Sequence, residues 1–255
     1  MEADSITELL LEKIMSLKVD VYSIMRNEIK ILPYFLRHYE TFADRIFVWD
    51  DGSNDGTREM LEVHPKVKLL PLNLGRADDE YFVRYLWPKY KIISRGHADW
   101  TICVDADEFI YHPNIAEKIE ELQRKEIRKV RCEGFTMYHP TFPTVQGQIY
   151  DEVKIGLRDK WSTKTVLFSP EIEIRWDIGR HRCSRKTKPA CDTGINLLHF
   201  RYLGWDYYRE RTKKNLSYDG IEFNDDRLCV MPDGSRRPPF KWFEEHKNSL
   251  VRLVQ

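Results

Sequence analysis

Asp105 and Asp107 stand one residue apart in Val104-Asp105-Ala106-Asp107-Glu108-Phe109, directly after the apolar run Trp100 to Val104. In an extended strand alternate side chains point the same way, so the two carboxylates can aim at a common point. Carboxylate oxygens converging at a strand end suit a hard divalent cation that keeps its other positions for water and phosphate. Strand ends also carry stray acids, so the pair takes its meaning from its context. Asn27 and Glu28 follow the run Lys18 to Met25, and Asp50 and Asp51 follow Arg45 to Trp49.

The elements that must hold these residues read as repeated strand–helix units. Strands are expected at Lys18 to Met25, Arg45 to Trp49, Val67 to Leu70 and Trp100 to Val104. Helical patterns fall at Ile29 to Phe42, from an Asp55 cap to about Val63, and at Asp79 to Arg95. Alternation of this kind predicts βαβ units and a parallel sheet. Open α/β sheets bind ligands outside the carboxyl ends of their strands. Asn27, Glu28, Asp50, Asp51, Asp105 and Asp107 all fall at such ends.

The segment SIMRNEIKILPYFLRHYETFADRIFVWDDGSNDGT, then NLGRADDEYFVRYLW and DWTICVDADEFIY, resembles the nucleotide-binding half of family 2-like glycosyltransferases with the GT-A fold. The resemblance covers about residues 18–112 and rests on the ordered set Asn-Glu, D-D-G-S-x-D-G-T, N-x-G-R and D-A-D-E. It implies an α/β, Rossmann-like GT-A domain over 1–255, with a mostly parallel central sheet flanked by helices. Residues of about 113–255 would form an elaborated acceptor-side half with C-terminal helices. By the same resemblance Asn27 and Glu28 lie by the nucleotide, Asp51 (with Asp50 as alternate) meets the base or ribose, and Arg76 approaches the nucleotide. Asp105 and Asp107 would hold Mg²⁺ or Mn²⁺ on the diphosphate, and Asp105 would also face the nucleotide. A nucleoside diphosphate leaving group gathers negative charge, which such a cation offsets.

Bland readings stand beside these. Asp51-Gly52-Ser53 suits a turn, Asp55 suits a helix N-cap, and Arg76 suits a solvated loop. In the second half, strands are expected at Arg128 to Tyr138, Lys164 to Phe168 and Glu171 to Trp176, a surface helix at Asn114 to Glu126, and a loop-rich insert at 139–160. GT-A enzymes often take a third metal ligand from a downstream histidine; His199 is the first choice and His181 the rival. An inverting transfer needs a base within hydrogen-bond reach of the acceptor hydroxyl. Asp177 is the first candidate, His181 the second and Asp192 the third; a retaining enzyme needs none. Lys164 reads equally as a diphosphate contact or a surface residue.

The run Trp205, Tyr207, Tyr208, Arg209, Arg211, Lys213, Lys214 reads as a closing helix with a partly exposed basic face, ahead of an acceptor groove or a nucleic-acid platform. Residues 219–239 read as a loop and 240–253 as a helix. Of 255 residues, Lys+Arg and Asp+Glu each number 41, so no net field draws in nucleic acid or acidic lipid. No 18-residue apolar run exists to span a membrane. The first 17 residues read as an amphipathic helix on the domain, with peripheral membrane contact as the second reading. Five scattered cysteines fit a reducing, cytoplasmic setting. The sum is a metal-dependent glycosyltransferase moving a sugar from a UDP- or GDP-sugar to a glycan or polysaccharide. The alternatives are a sugar-phosphate nucleotidyltransferase, disfavoured because Arg26-Asn27-Glu28 lacks the expected glycines, and a non-catalytic nucleotide- or carbohydrate-binding module.

Overall fold

The computed structural model describes residues 17–76, 78–184, 188–218, 229–230, 236–237, 245 and 247–254. The expected N-terminal helix, the 219–239 loop for the most part, and residues 240–244 and 246 of the expected 240–253 helix lie outside the described residues. Strand β1 (Val19–Met25) buries six of its seven side chains, the pattern of a strand covered on both faces. It runs parallel to β2 (Arg45–Asp50) on one side and to β4 (Trp100–Cys103) on the other, with β3 (Val67–Pro71) parallel outside β2. The chain therefore steps outward from β1 to β3, then crosses back to place β4 against β1. That reversal is a topological switch point, where the loops leaving β1 and β4 diverge and open a crevice.

The connections explain this half. Helix α1 (Leu32–Tyr39) is shorter than expected because residues 29–31 form a turn, with Pro33 in the first helical turn. Helix α2 (Thr57–Val63) begins after Gly56, whose φ of 98° is left-handed. Asp55, the expected cap, stands one position before the observed N-cap Gly56, and accepts from the Thr57 amide at 3.0 Å and from the Ile29 amide at 3.1 Å. It thus caps the helix start and ties the loop after β1 to the loop after β2. The expected helix 79–95 is helical but irregular. It includes a π-helical turn, Phe82–Leu86, followed by a 3₁₀ turn at Trp87–Lys89, where Pro88 cannot donate.

Beyond β4 the sheet is mixed rather than mostly parallel. Strand β5 (Glu108–Tyr111) follows the Asp105–Asp107 turn, and helix α3 (Ile115–Arg124) precedes the long β6 (Lys129–His139). Strands β7 (Ile155–Arg158), β8 (Lys164–Phe168) and β9 (Asn196–Leu203) follow in turn. β8 inserts antiparallel between β4 and β6, β7 pairs antiparallel with β6, and β9 runs parallel to β6 and antiparallel to β5. β7 and β8, joined by the short 159–163 turn, lie on opposite sides of β6 and each runs antiparallel to it. β10 (Cys229–Val230) and β11 (Arg236–Arg237) form a separate pair. β12 (Val251–Arg252) pairs with β7, so the expected C-terminal helix does not extend there.

Two other expectations change. The insert 139–160, broken by Pro140, Pro143 and Gly147, contains β7. Residues 171–176 are not a strand: the Tyr90 hydroxyl donates to the Ile172 carbonyl at 2.6 Å and accepts from the Ile174 amide at 2.9 Å. A side chain has taken the place of a neighbouring strand, while Ile174 and Trp176 still pack on Tyr90 and Phe168. On the other face, β6 crosses the 159–163 turn so closely that a Cβ on Gly134 would lie 2.0 Å from the Ser162 carbonyl carbon. Helix α4 (Trp205–Tyr218) leaves β9 and closes over the carboxyl ends of β1 and β4. Among the described residues no helix is long and apolar enough to cross a membrane.

His38, on α1, is buried among Tyr39, Phe109 and Tyr150. Burial pushes its pKa down to about 3, against a smaller opposing contact at Ile110. The folded state therefore holds it neutral where the unfolded chain binds a proton. This contribution to stability is complete above about pH 6.5 and declines as pH falls toward 3, by up to about 1.4 kcal/mol per pH unit. Urea unfolding of His38→Phe between pH 4 and 7 should show a shallower fall in stability toward acid than wild type; equal slopes would refute this account of His38.

Candidate functional site

Strand β4 ends at Cys103, and residues 104–107 turn the chain into β5. The Asp107 carbonyl accepts from the Phe200 amide at 2.8 Å, and Glu108 lies opposite His199 in the β5–β9 register. β9 thereby brings His199 to the acidic turn, with Nε2 2.9 Å from Asp107 Oδ2. Its Nδ1 is 3.2 Å from the Ser162 hydroxyl, which donates to Asp159 at 2.8 Å. The close crossing at Gly134 keeps Ser162 in place.

The acids of this turn are buried against cations. Asp107 is 1% exposed and Oδ2 also accepts from Arg211 Nη1. Burial pushes the Asp107 carboxyl up, but Arg211 and His199 outweigh it and hold it well below the usual carboxylate range. Glu108 is wholly buried, 2.5 Å from Lys164 Nζ and 3.4 Å from Arg180. Burial raises its pKa, and Lys164, Arg180 and His199 outweigh that and bring it down to about 2. Asp105 is less enclosed, 2.5 Å from Arg180 Nη2 and 3.8 Å from Lys164. Arg180 is fixed in turn by the Cys103 carbonyl at 2.8 Å and by the Trp87 ring, 4.3 Å beneath its guanidinium.

A second layer comes from the loops after β1 and β2. Asn27 adopts φ 54°, its amide donates to Ser53 Oγ at 2.8 Å, and its side-chain oxygen accepts from the Asn54 amide at 2.8 Å. The Glu28 amide donates to Thr57 Oγ1. On its carboxylate side, Glu28 meets Lys214 at 2.7 Å and Arg211 at 3.6 Å, both from α4. The basic residues of α4 are thus divided: Arg211 and Lys214 turn inward while Arg209 and Lys213 are exposed, the partly exposed basic face expected of a closing helix. Tyr207 and Tyr208 are buried, so they form no open stacking platform.

A cavity of about 540 Å³ opens between these groups. Glu28, Asp51, Asp105, Asp107, His181 and His199 line it, joining six sequence candidates. The others lie elsewhere. Asp50 is buried and directed toward Arg58, 3.4 Å away. Arg76 is exposed and paired with Asp78 at 2.9 Å. Asn27 borders an adjoining hollow with Lys214. Asp177 is exposed, accepts from the Arg182 amide at 2.8 Å, and faces a separate groove with Tyr85 and Trp176. Asp192 is exposed at a turn, with φ 55°. Asp51 lines the cavity with its carboxylate engaged by the Leu74 amide at 2.6 Å and the Gly75 amide at 3.2 Å. His181 Nδ1 meets the Trp161 carbonyl at 2.7 Å. A carbonyl only accepts, so in the neutral ring Nδ1 carries the proton and Nε2 the lone pair.

Sequence reasoning overlooked Glu108 and Arg180, and did not give Arg211 its inward position. Glu108 carried one signal, an acid opening the apolar strand Glu108-Phe109-Ile110-Tyr111, which burial must match with a cation. The cavity wall is balanced in formal charge: Arg26, Lys164, Arg180, Arg201 and Arg211 face Glu28, Asp51, Asp79, Asp105 and Asp107. A dianionic ligand entering with a divalent cation would preserve that balance. Hard carboxylate oxygens and an imidazole nitrogen at Asp105, Asp107 and His199 fit such a cation by donor chemistry. As the side chains stand, no three His, Cys, Asp or Glu side chains among the described residues gather around one metal position. Asp105 and Asp107 are turned to guanidinium groups instead.

No family model matches the chain, and a search of curated proteins finds no match. Among solved structures it is similar to S. aureus TarS 1–349 in complex with UDP, at 14% identity and a TM-score of 0.37. That match covers 60% of this chain and 47% of the other. TarS 1–349 in complex with UDP-GlcNAc gives 12% identity and a TM-score of 0.33, over 60% and 46%. This chain thus spans about half the length of the TarS 1–349 fragment it matches. Similarity of this extent assigns neither residues nor an activity.

Asp51 holds the 72–75 loop through those two amides. In Asp51→Ala, hydrogen exchange at the Leu74 and Gly75 amides should quicken by about tenfold or more, the scale of losing hydrogen bonds to a charged acceptor. Unchanged protection would show that the loop is held by something else.

Proposed function

We propose that the cavity binds the nucleoside diphosphate part of a UDP- or GDP-sugar and transfers the sugar to a hydroxyl of a glycan or polysaccharide. The observation that carries this reading is the meeting of Glu28, from the loop after β1, with Asp105, Asp107 and His199 at a topological switch point. In that place an α/β sheet presents its ligand crevice. A divalent Mg²⁺ or Mn²⁺ held by Asp105 and Asp107, with His199 as nitrogen donor, would offset the charge that develops on the departing diphosphate.

The chain's own residues supply the rest. Asp51 and the loop it holds border the nucleotide end, and Arg180 presents a fixed guanidinium beside Asp105. The structure favours His181 over Asp177 as the base of an inverting transfer, because His181 lines the cavity and Asp177 faces the outer groove. With Nδ1 tied to the Trp161 carbonyl, Nε2 is the atom able to take the acceptor proton. The acceptor oxygen then bonds to the anomeric carbon as the bond from that carbon to the diphosphate oxygen breaks. The electron pair of the broken bond leaves with the diphosphate.

Calorimetry with UDP and GDP, with Mn²⁺ and with EDTA, tests the reading together with turnover of a panel of their sugars. A nucleotide should bind in the presence of Mn²⁺ in the range of ordinary KM values, about 1 µM to 1 mM. Its sugar should be hydrolysed slowly or transferred, and His181→Ala should lower kcat by about 10²–10⁴-fold. Failure of every sugar nucleotide to bind or turn over with Mn²⁺ or Mg²⁺ removes the proposal.

A further inference from the structure

Arg211 and Arg180 both cover carboxylates of the acidic turn, but they are held differently. Arg180 is 5% exposed, stacked on Trp87 and bonded to the Cys103 carbonyl, so its position is fixed by contacts outside the acids. Arg211 reaches in from α4 and spans Asp107 and Glu28. Its Nε, 3.6 Å from Glu28, makes no hydrogen bond. Lys214, one turn further along α4, lies against Glu28 and the Asn27 carbonyl. The inner face of α4 therefore lays positive charge across the acids at the ends of β1 and β4.

One carboxylate oxygen cannot serve a guanidinium and a metal ion at the same lone pairs. Asp107 Oδ2 already meets both His199 Nε2 and Arg211 Nη1. A cation arriving at Asp107 Oδ2 displaces Arg211 and leaves it only Glu28, 3.6 Å away and already paired with Lys214, and a buried guanidinium short of anions is costly. A diphosphate in the same cavity would offer that anion. Resting on the sugar-nucleotide reading above, we propose that Arg211 is an exchangeable counter-ion, seated on Asp107 in the free protein and passed to the diphosphate when a divalent cation takes Asp107. Neither ligand alone completes the exchange: the cation alone strands Arg211, and the diphosphate alone competes with Asp107 for it. The two ligands must then tighten one another, and by the same factor.

The test measures Mn²⁺ binding by the electron paramagnetic resonance of free Mn²⁺ and UDP or GDP binding by calorimetry, each alone and with the other saturating. In wild type each ligand should tighten the other by about tenfold or more, within the usual span of coupling between sites. Arg211→Met removes the rival cation and the diphosphate partner together. Mn²⁺ alone should then bind about tenfold tighter, the nucleotide with saturating Mn²⁺ about tenfold weaker, and the coupling between the two should fall by about tenfold. A merely structural Arg211 would instead weaken both or leave both unchanged, and either result overturns the exchange. If Arg211→Met does not fold, Arg211→Gln is judged by the same opposed shifts. Absence of nucleotide binding in wild type with Mn²⁺ or Mg²⁺ would refute the sugar-nucleotide reading itself, whereas coupled binding undisturbed by the Arg211 variants would refute the exchange alone.

Discussion

Burying two carboxylates side by side at the start of β5 is the constraint on which the rest of this molecule depends. Asp107 and Glu108 are almost wholly inaccessible, and an ionised carboxylate leaves water only if cations and donors replace what it loses. Lys164 comes from β8, Arg180 from the loop before β9, His199 from β9 and Arg211 from α4. Four segments far apart in sequence are thus drawn to one turn. The same pairs settle the ionisation of the acids: burial favours the neutral form, and the neighbouring cations win.

The sheet explains why this cluster can be a site as well as a knot. β1 lies between β2 and β4, so the loops after β1 and β4 part above the sheet and leave room between them. Asp51 narrows that room by holding the 72–75 loop, and α4 covers it from the other side. Contacts behind the wall, from Asp159 through Ser162 to His199 and from Trp87 to Arg180, orient the groups that face the cavity. Such support lets charged groups keep fixed directions in a site that also admits solvent and ligand.

Local pattern made the parallel half legible. The runs around β1, β2, β3 and β4 are apolar, β-branched or aromatic and bounded by turn residues, so both strand type and strand ends could be read near their observed places. The antiparallel half was less open to that reading. Residues 171–176 have the alternation of a strand, yet their backbone partner is the Tyr90 hydroxyl. β7 is a short strand within a proline-broken insert, stabilised by pairing with β6 that no local signal announces. Arg211 and Arg209 are alike by composition on one helix, and packing alone turns the first toward Asp107 and leaves the second in solvent.

By itself the sequence determined an alternating α/β plan and the placement of Asn27, Glu28, Asp51, Asp105 and Asp107 at strand ends, because side-chain periodicity and turn chemistry act between near neighbours along the chain. Tertiary structure decided which of these acids share a cavity, which cation each one meets, and that His181 rather than Asp177 reaches that cavity. Those outcomes depend on contacts between segments 70 to 190 residues apart. Such contacts are selected by the burial and charge balance of the whole fold, which no local window of sequence contains.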